Sequence, residues 1–322
     1  MILVTGAAGF IGYHVSNALL AQGRAVVGID NLNDYYDPAL KQARLDRLEA
    51  QPGFQFLRAD IADREAMLSL AKTFPDVTGI IHLAAQAGVR HSLIDPYSYV
   101  RSNVEGQLIM LELARRMDGL KHMVYASSSS VYGANEKQPF SIEDPVDTPL
   151  SLYAATKRSG ELMAYTYAHL YGIPLTGLRF FTVYGPWGRP DMAAYIFASK
   201  IMAGEPITVF NNGDMRRDFT FIDDIVDGVI RCLETPPVET PPQRVYNIGN
   251  NRSEDLMRFI SLIEDSLGMK ADMRFDVMQP GDVQETYADI DAIREDLGFN
   301  PSTPIDVGIP AFIEWFRSYN QR

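Results

Sequence analysis

Tyr153 and Lys157 are the residues whose types and spacing offer chemistry most directly. Four residues apart on a helix, two side chains share one face about a turn apart. A tyrosine hydroxyl with a pKa of ~10 is a poor base at neutral pH, but a neighbouring ammonium favours the phenolate and lowers that value. Such a pair can take a proton from a sugar hydroxyl while a cofactor takes the hydride. The rest of the chain must then supply a dinucleotide site and a polar wall for the alcohol.

The stretch Gly6-Ala-Ala-Gly9-Phe-Ile-Gly12 leaves a predicted strand and opens a predicted helix. Glycines there allow a tight turn and close approach of backbone to a pyrophosphate at a helix N-terminus, so Gly6, Gly9, Phe10, Ile11 and Gly12 are expected against a cofactor. Asp30 ends the second predicted strand, with Asn31 behind it. A carboxylate there accepts hydrogen bonds from an adenosine ribose and repels a 2′-phosphate, which favours NAD over NADP. Asp60 and Ile61, after the third strand, are placed beside the adenine. His82-Leu-Ala-Ala-Gln-Ala-Gly88 leaves another strand, and Leu83, Ala84 and Ala85 are small enough to let a cofactor pass, while His82 reads as a packed histidine. The run Ser127-Ser-Ser-Ser130-Val-Tyr-Gly133 follows a strand at the carboxyl edge of the sheet, where open α/β sheets bind ligands. Its serines are placed to hydrogen-bond a sugar hydroxyl.

These motifs need a scaffold, and the chain alternates accordingly. Strands are predicted at 1–5, 24–30, 54–58, 78–83, 121–126 and 173–180. Helices are predicted at 10–22, from the polar insertion after Asp30 to about 50, at 63–73, within 96–117 and through Tyr153. This rhythm implies a Rossmann-type, doubly wound parallel sheet of the α/β class. It predicts an NAD-binding domain at 1–180 and a smaller, non-contiguous substrate lobe at 181–322, with segments near 222–250 returning to the first domain. The second part is read as a helix at 193–203, a strand at 207–211, helices at 224–233, 253–267 and 310–317, and a strand near 272–275.

Composition sets the class. The chain has 322 residues, 46% hydrophobic and 22% charged, with a net charge of −12. That balance argues against a general nucleic-acid binder. No apolar run reaches the ~18 residues of a membrane span. The chain opens directly on a strand, which predicts a cytoplasmic protein. The single cysteine, Cys232, allows no internal disulfide and reads as a buried helix position. No metal is expected.

Together the glycine turn, Asp30, the serine run and the Tyr153/Lys157 pair resemble the extended short-chain dehydrogenase/reductase family, in its branch of nucleotide-sugar epimerases and dehydratases. The Gly-x-x-Gly-x-x-Gly spacing is that family's variant. Asp30-Asn-Leu-Asn-Asp-Tyr-Tyr-Asp37, Ala85-Gln-Ala-Gly-Val-Arg90 and Phe181-Thr-Val-Tyr-Gly-Pro-Trp-Gly-Arg-Pro-Asp-Met-Ala193 resemble UDP-glucuronate 4-epimerases within it.

The resemblance implies a retained NAD, oxidation at the sugar C4, rotation of the 4-keto sugar and reduction on its other face. It gives Tyr153 as base, Lys157 as the group that holds the nicotinamide ribose and depresses the Tyr153 pKa, and Ser128 as partner at O4. It also puts Asn103 with the cofactor residues as a brace for the active-site helix. Substrate would be held by Arg90, Ser127, Ser129, Thr182, Arg189, Arg217 and Asp282. Related dehydratases carry an Asp-Glu pair at positions 129 and 130, and related decarboxylases carry Glu at 130; here both are serine. A 4-epimerase of uncharged UDP-sugars, a UDP-glucuronate decarboxylase and a silent NAD-binding regulator are the alternatives. Relatives pair the helix after Asp95 with the Tyr153 helix, so a homodimer is expected.

Overall fold

The structure, a computed structural model, describes residues 1–278 and 283–320. The first part runs β1 (Ile2–Thr5), α1 (Phe10–Ala21), β2 (Val26–Asp30), α2 (Pro38–Glu49), β3 (Phe54–Arg58), α3 (Arg64–Thr73), β4 (Gly79–His82), α4 (Pro96–Tyr99), a π-helical turn Val100–Glu105, α5 (Gly106–Ala114), β5 (His122–Ser128), α6 (Leu152–Tyr171) and β6 (Leu175–Phe180). The second part runs β7 (Thr182–Tyr184), α7 (Ala193–Ala203), β8 (Ile207–Val209), β9 (Arg216–Arg217), β10 (Phe219–Phe221), α8 (Ile222–Glu234), β11 (Gln243–Ile248), β12 (Glu254–Asp255), α9 (Leu256–Leu267), β13 (Met273–Phe275), α10 (Asp291–Leu297) and α11 (Ile305–Asn320).

Seven strands form one parallel sheet in the order β11-β6-β5-β4-β1-β2-β3. The order reverses between β1 and β4, which opens a crevice at their carboxyl ends. The strands β1, β2 and β4 are buried throughout, as strands covered by helices on both faces must be. One core joins the sheet to α3, α5 and α6 through Met67, Leu70, Ile109, Leu113 and Ala164. The other lies under α1 and α8 and continues without a break into α7, α9 and α11 through Phe197, Phe259, Ile263, Phe312 and Phe316. The late, short elements are therefore packed on the main sheet rather than tethered to it.

The helix that carries Tyr153 is built to sit close. Ser151 caps its N-terminus by accepting from the Ala154 amide at 3.1 Å, and Gly172 ends it at φ 64°. Buried Gly160, Ala164 and Ala168 keep its inner face narrow. The single helix expected within 96–117 is interrupted at Val100–Glu105 by the π turn, whose wider register turns Asn103 inward. The expected strand 207–211 stops at Val209, because Asn211 and Asn212 adopt φ of 50° and 52° and turn the chain. The helix expected from 253 begins at Leu256, its first residues being spent on β12. Among the described residues, no helix is long and apolar enough to cross a membrane.

Candidate active site

A single cleft of about 990 Å³ runs along the carboxyl ends of β1, β2, β4 and β5 and on to Thr182, Arg189 and Arg217. That is at the upper end for a small-molecule site, about 300–1,000 Å³. Its walls hold every sequence-predicted site residue except Asn103 and Asp282. Asp282 lies outside the described residues.

The cofactor end is assembled by backbone. Gly6 has φ 72°, and a Cβ on Gly12 would lie 2.0 Å from the Gly6 carbonyl oxygen. Only glycine lets the turn fold onto the start of α1. The first turn of that helix has no side-chain cap, so its N–H groups face outward where an anion is favoured. Asp30 accepts from the Ala8 amide at 3.1 Å and the Leu32 amide at 2.9 Å. Burial raises its pKa, while these bonds and the charges of Lys41 and Arg44 oppose the rise. Asn31 and Asp60 turn their own loops, accepting from the amides of Asn33 and Ala62. A side-chain-free cradle, an uncapped helix start and a carboxylate at the end of β2 together fit a dinucleotide.

The reaction end depends on a ladder between β5 and α6. Lys157 Nζ donates to the Ala126 carbonyl at 3.0 Å and Ser127 Oγ donates to Glu161 Oε1 at 2.6 Å, while Ser128 lines the cleft with Tyr153. Two consecutive strand residues are thus fixed to one helix. Glu161 is buried and also accepts both arms of Arg179, at 2.9 and 3.0 Å. Burial alone would raise its pKa, but Arg179 and its other donors bring it below the ordinary carboxylate value. Arg179 Nη1 reaches the Tyr132 hydroxyl at 3.0 Å, which donates to Asn247 on β11. The ladder is therefore anchored to the far edge of the sheet.

Several expectations change here. Ser127 borders the cleft, but its hydroxyl is committed to Glu161, because alternate residues of a strand face opposite ways. Asn103 is not part of the cleft wall. Its side chain accepts from the Gln86 amide and donates to the Gln86 carbonyl and to Thr156 Oγ1. It braces the loop after β4 against α6. The expected lowering of the Tyr153 pKa by Lys157 is absent. Burial dominates and raises it, Ser128 and Arg189 oppose the rise, and Asp191 adds to it. Lys157 Nζ stands 6.0 Å from the Tyr153 ring centre and is turned to Ala126, while burial lowers its own pKa to about 8. His82 is buried against Thr5 Oγ1 at 2.7 Å, as a packed histidine would be.

The sugar end is polar and cationic. Ser130 Oγ donates to Ser128 Oγ at 3.0 Å, and Ser129 and Thr182 border the same space. Arg189 forms two hydrogen bonds to Asp191, at 3.0 and 2.5 Å. Arg90 lies 4.8 Å from the Phe210 ring centre across the cleft. Arg217 lines the wall on β9, whereas neighbouring Arg216 turns away to Ser253.

Sequence reasoning gave no role to Tyr35, Arg44 or Asp191. Tyr35 OH donates to Asp191 Oδ2 at 3.0 Å. It comes so close to Gly88, at φ 99°, that a Cβ there would lie 2.5 Å from the phenol oxygen. The aromatic pair in the insertion after Asp30 was the available signal, but Asp191, the partner of Tyr35, lies 156 residues away.

Comparison with known proteins agrees with this geometry. A profile of the NAD dependent epimerase/dehydratase family matches residues 2–249. An uncharacterized 37.6 kDa protein of Escherichia coli O111:H- is 53% identical, over 98% of this chain and 98% of its own. UDP-glucuronate 4-epimerase 4 of Arabidopsis thaliana is 47% identical, over 99% of this chain and 75% of its own. The crystal structure of UDP-glucuronic acid 4-epimerase from Bacillus cereus, in complex with UDP-glucuronic acid and NAD, superimposes with a TM-score of 0.91 at 36% identity and covers 99% of both chains. With a glycine cradle, an aspartate at the end of β2 and the Tyr153/Lys157 pair in one cleft, the chain belongs to the NAD-dependent epimerase/dehydratase family, in the extended branch of the short-chain dehydrogenases/reductases, and its cofactor is NAD.

Proposed function

We propose that this protein is a UDP-glucuronate 4-epimerase, interconverting UDP-glucuronate and UDP-galacturonate. The observation that carries the reading is the serine wall beside Tyr153. Elimination of water needs an acid and a base at the sugar, and the chain offers Ser129 and Ser130 there. Asp191, a carboxylate that also lines the cleft, is engaged by Arg189. Hydroxyls and a guanidinium suit a sugar that brings its own carboxylate.

NAD supplies the hydride-accepting and hydride-returning chemistry at C4. Tyr153 takes the 4-hydroxyl proton and gives it back to the ketone oxygen after the sugar has turned. Ser128, which accepts from Ser130 and lines the cleft with Tyr153, shares that proton network. Lys157, with its pKa near 8, is still cationic at neutral pH and favours the phenolate once it turns from Ala126. A 4-keto uronic acid is a β-keto acid and loses CO₂ when its carboxylate bond aligns with the ketone π system. Thr182, Ser129 and Arg189 hold the carboxylate out of that alignment, and Arg90 and Arg217 hold the diphosphate, since the guanidinium fork matches phosphate oxygens.

The domain division at 180 belongs to this reading, as does a homodimer. Tyr97, Val100 and Leu108 on the helices after Asp95, and Leu162 and Tyr165 on α6, are exposed apolar side chains, and a second copy would cover them; sedimentation equilibrium at twice the monomer mass supports it. The functional test is NMR of the purified protein with UDP-glucuronate. UDP-galacturonate without net NADH is the expected product. A UDP-pentose with CO₂ would replace the reading with a decarboxylase, and bound NAD without turnover would indicate a regulator.

A further inference from the structure

The segment that follows the cofactor's aspartate also holds the loop on the sugar side. Tyr35 comes from the insertion after β2 and donates to Asp191, the carboxylate that grips Arg189. Arg44, nine residues on and in the middle of α2, is 0% exposed. Its Nη1 donates to the Ala8 carbonyl at 2.9 Å and the Tyr36 hydroxyl at 2.7 Å, and its Nη2 donates to the Trp187 carbonyl at 2.6 Å and the Gly188 carbonyl at 3.3 Å. Among the described residues Arg44 forms no ion pair. A buried guanidinium without a hydrogen-bonded carboxylate is costly, and besides the Tyr36 hydroxyl this one bonds carbonyls of two segments: the glycine turn and the two residues before Arg189.

The loop requires that support. Trp187 has φ 62°, a conformation disfavoured for a bulky side chain. Its carbonyl is held by Arg44 in that conformation, and Arg47 of α2 lies 5.3 Å from its ring centre. His14 of α1 bonds the Pro186 carbonyl at 2.9 Å. Every one of these ties comes from the nucleotide side.

We propose that Tyr35 and Arg44 are positioning residues that shape the loop of residues 186–191 and thereby set the place of Arg189 in the sugar site. Tyr35 acts through Asp191, and Arg44 acts through the Trp187 and Gly188 carbonyls. The place of Arg189 matters to the chemistry, because the charges of Arg189 and Asp191 act in opposite directions on Tyr153. This inference rests on the reading of Arg189 as a substrate-facing residue.

The test uses the NAD-loaded protein. Tyr35→Phe should lower kcat/KM for UDP-glucuronate roughly tenfold, as loss of one hydrogen bond to a charged group does, with retained NAD unchanged. Tyr35→Phe added to Asp191→Ala should lose nothing beyond Asp191→Ala alone, since one acts through the other. A second readout needs no substrate. The chain has two tryptophans, so in a Trp315→Phe background acrylamide quenching reports Trp187 alone. Arg44→Lys should raise that quenching about twofold, because a single ammonium cannot span both segments. Additive losses in the Tyr35/Asp191 pair, or unchanged kinetics in Tyr35→Phe, overturn the role of Tyr35. Unchanged quenching in Arg44→Lys overturns the role of Arg44. Absence of turnover in the parent protein counts against the substrate reading alone, because the quenching measurement stands without it.

Discussion

The two ends of the cleft are built by different means. At the reaction end, β5 and α6 are long, regular and tied directly to each other, so that Ala126 and Ser127 each meet a fixed partner. At the sugar end, Thr182 and Arg217 stand on three- and two-residue strands and Arg189 on a loop, and that loop is held by side chains from the opposite half of the molecule. A proton and a hydride must move over fixed distances, which regular elements provide. The fate of the ketone depends on which groups surround it, and loops can be changed without disturbing the sheet.

The largest effect should come from the reaction end. Tyr153→Phe removes the proposed acid/base group, a role worth about 10²–10⁴ in rate, and should reduce turnover by at least that factor while NAD remains bound. Appreciable activity in that variant would dismiss the assigned base. Next, Glu161→Leu leaves Arg179 buried without its carboxylate, and breaking a buried pair costs about 3–5 kcal/mol. Equilibrium denaturation should show a loss of that order, and a loss near zero would mean the ladder has no structural anchor in this pair.

The Lys157 ammonium offers a pH test. Its folded pKa, about 8, is below the ordinary 10.5, so between those values the native state binds fewer protons than the unfolded chain. Stability should therefore rise with pH across that window, relative to Lys157→Met. Parallel profiles for the two proteins would contradict the shift. The smallest effect is expected for Ser127→Ala. It removes one hydrogen bond to a charged group, about 1.5–3 kcal/mol of stability, and should leave KM unchanged because the hydroxyl does not face the sugar. A raised KM would return Ser127 to the substrate site.

The same contrast governs what could be read from sequence. Strands β1 to β6, the glycine turn, Asp30 and Tyr153/Lys157 were legible because local spacing dictates them. The strands β7, β9, β10 and β12 are too short to show a period, and the π turn that aims Asn103 inward leaves no periodic mark. Arg44 looked like an ordinary charge on a helix, since its partners at Trp187 and Gly188 lie far along the chain. Ser127 could have been read correctly. The alternation that set Arg216 apart from Arg217 also turns Ser127 away from Ser128.

On the proposed reading, the sugar is oxidised and reduced at one carbon without exchange with solvent. The most direct test is turnover of UDP-glucuronate carrying deuterium at C4, followed by NMR of the product. Deuterium retained at C4 of UDP-galacturonate is the predicted result, because the hydride removed is the hydride returned. Solvent hydrogen at C4 would contradict it.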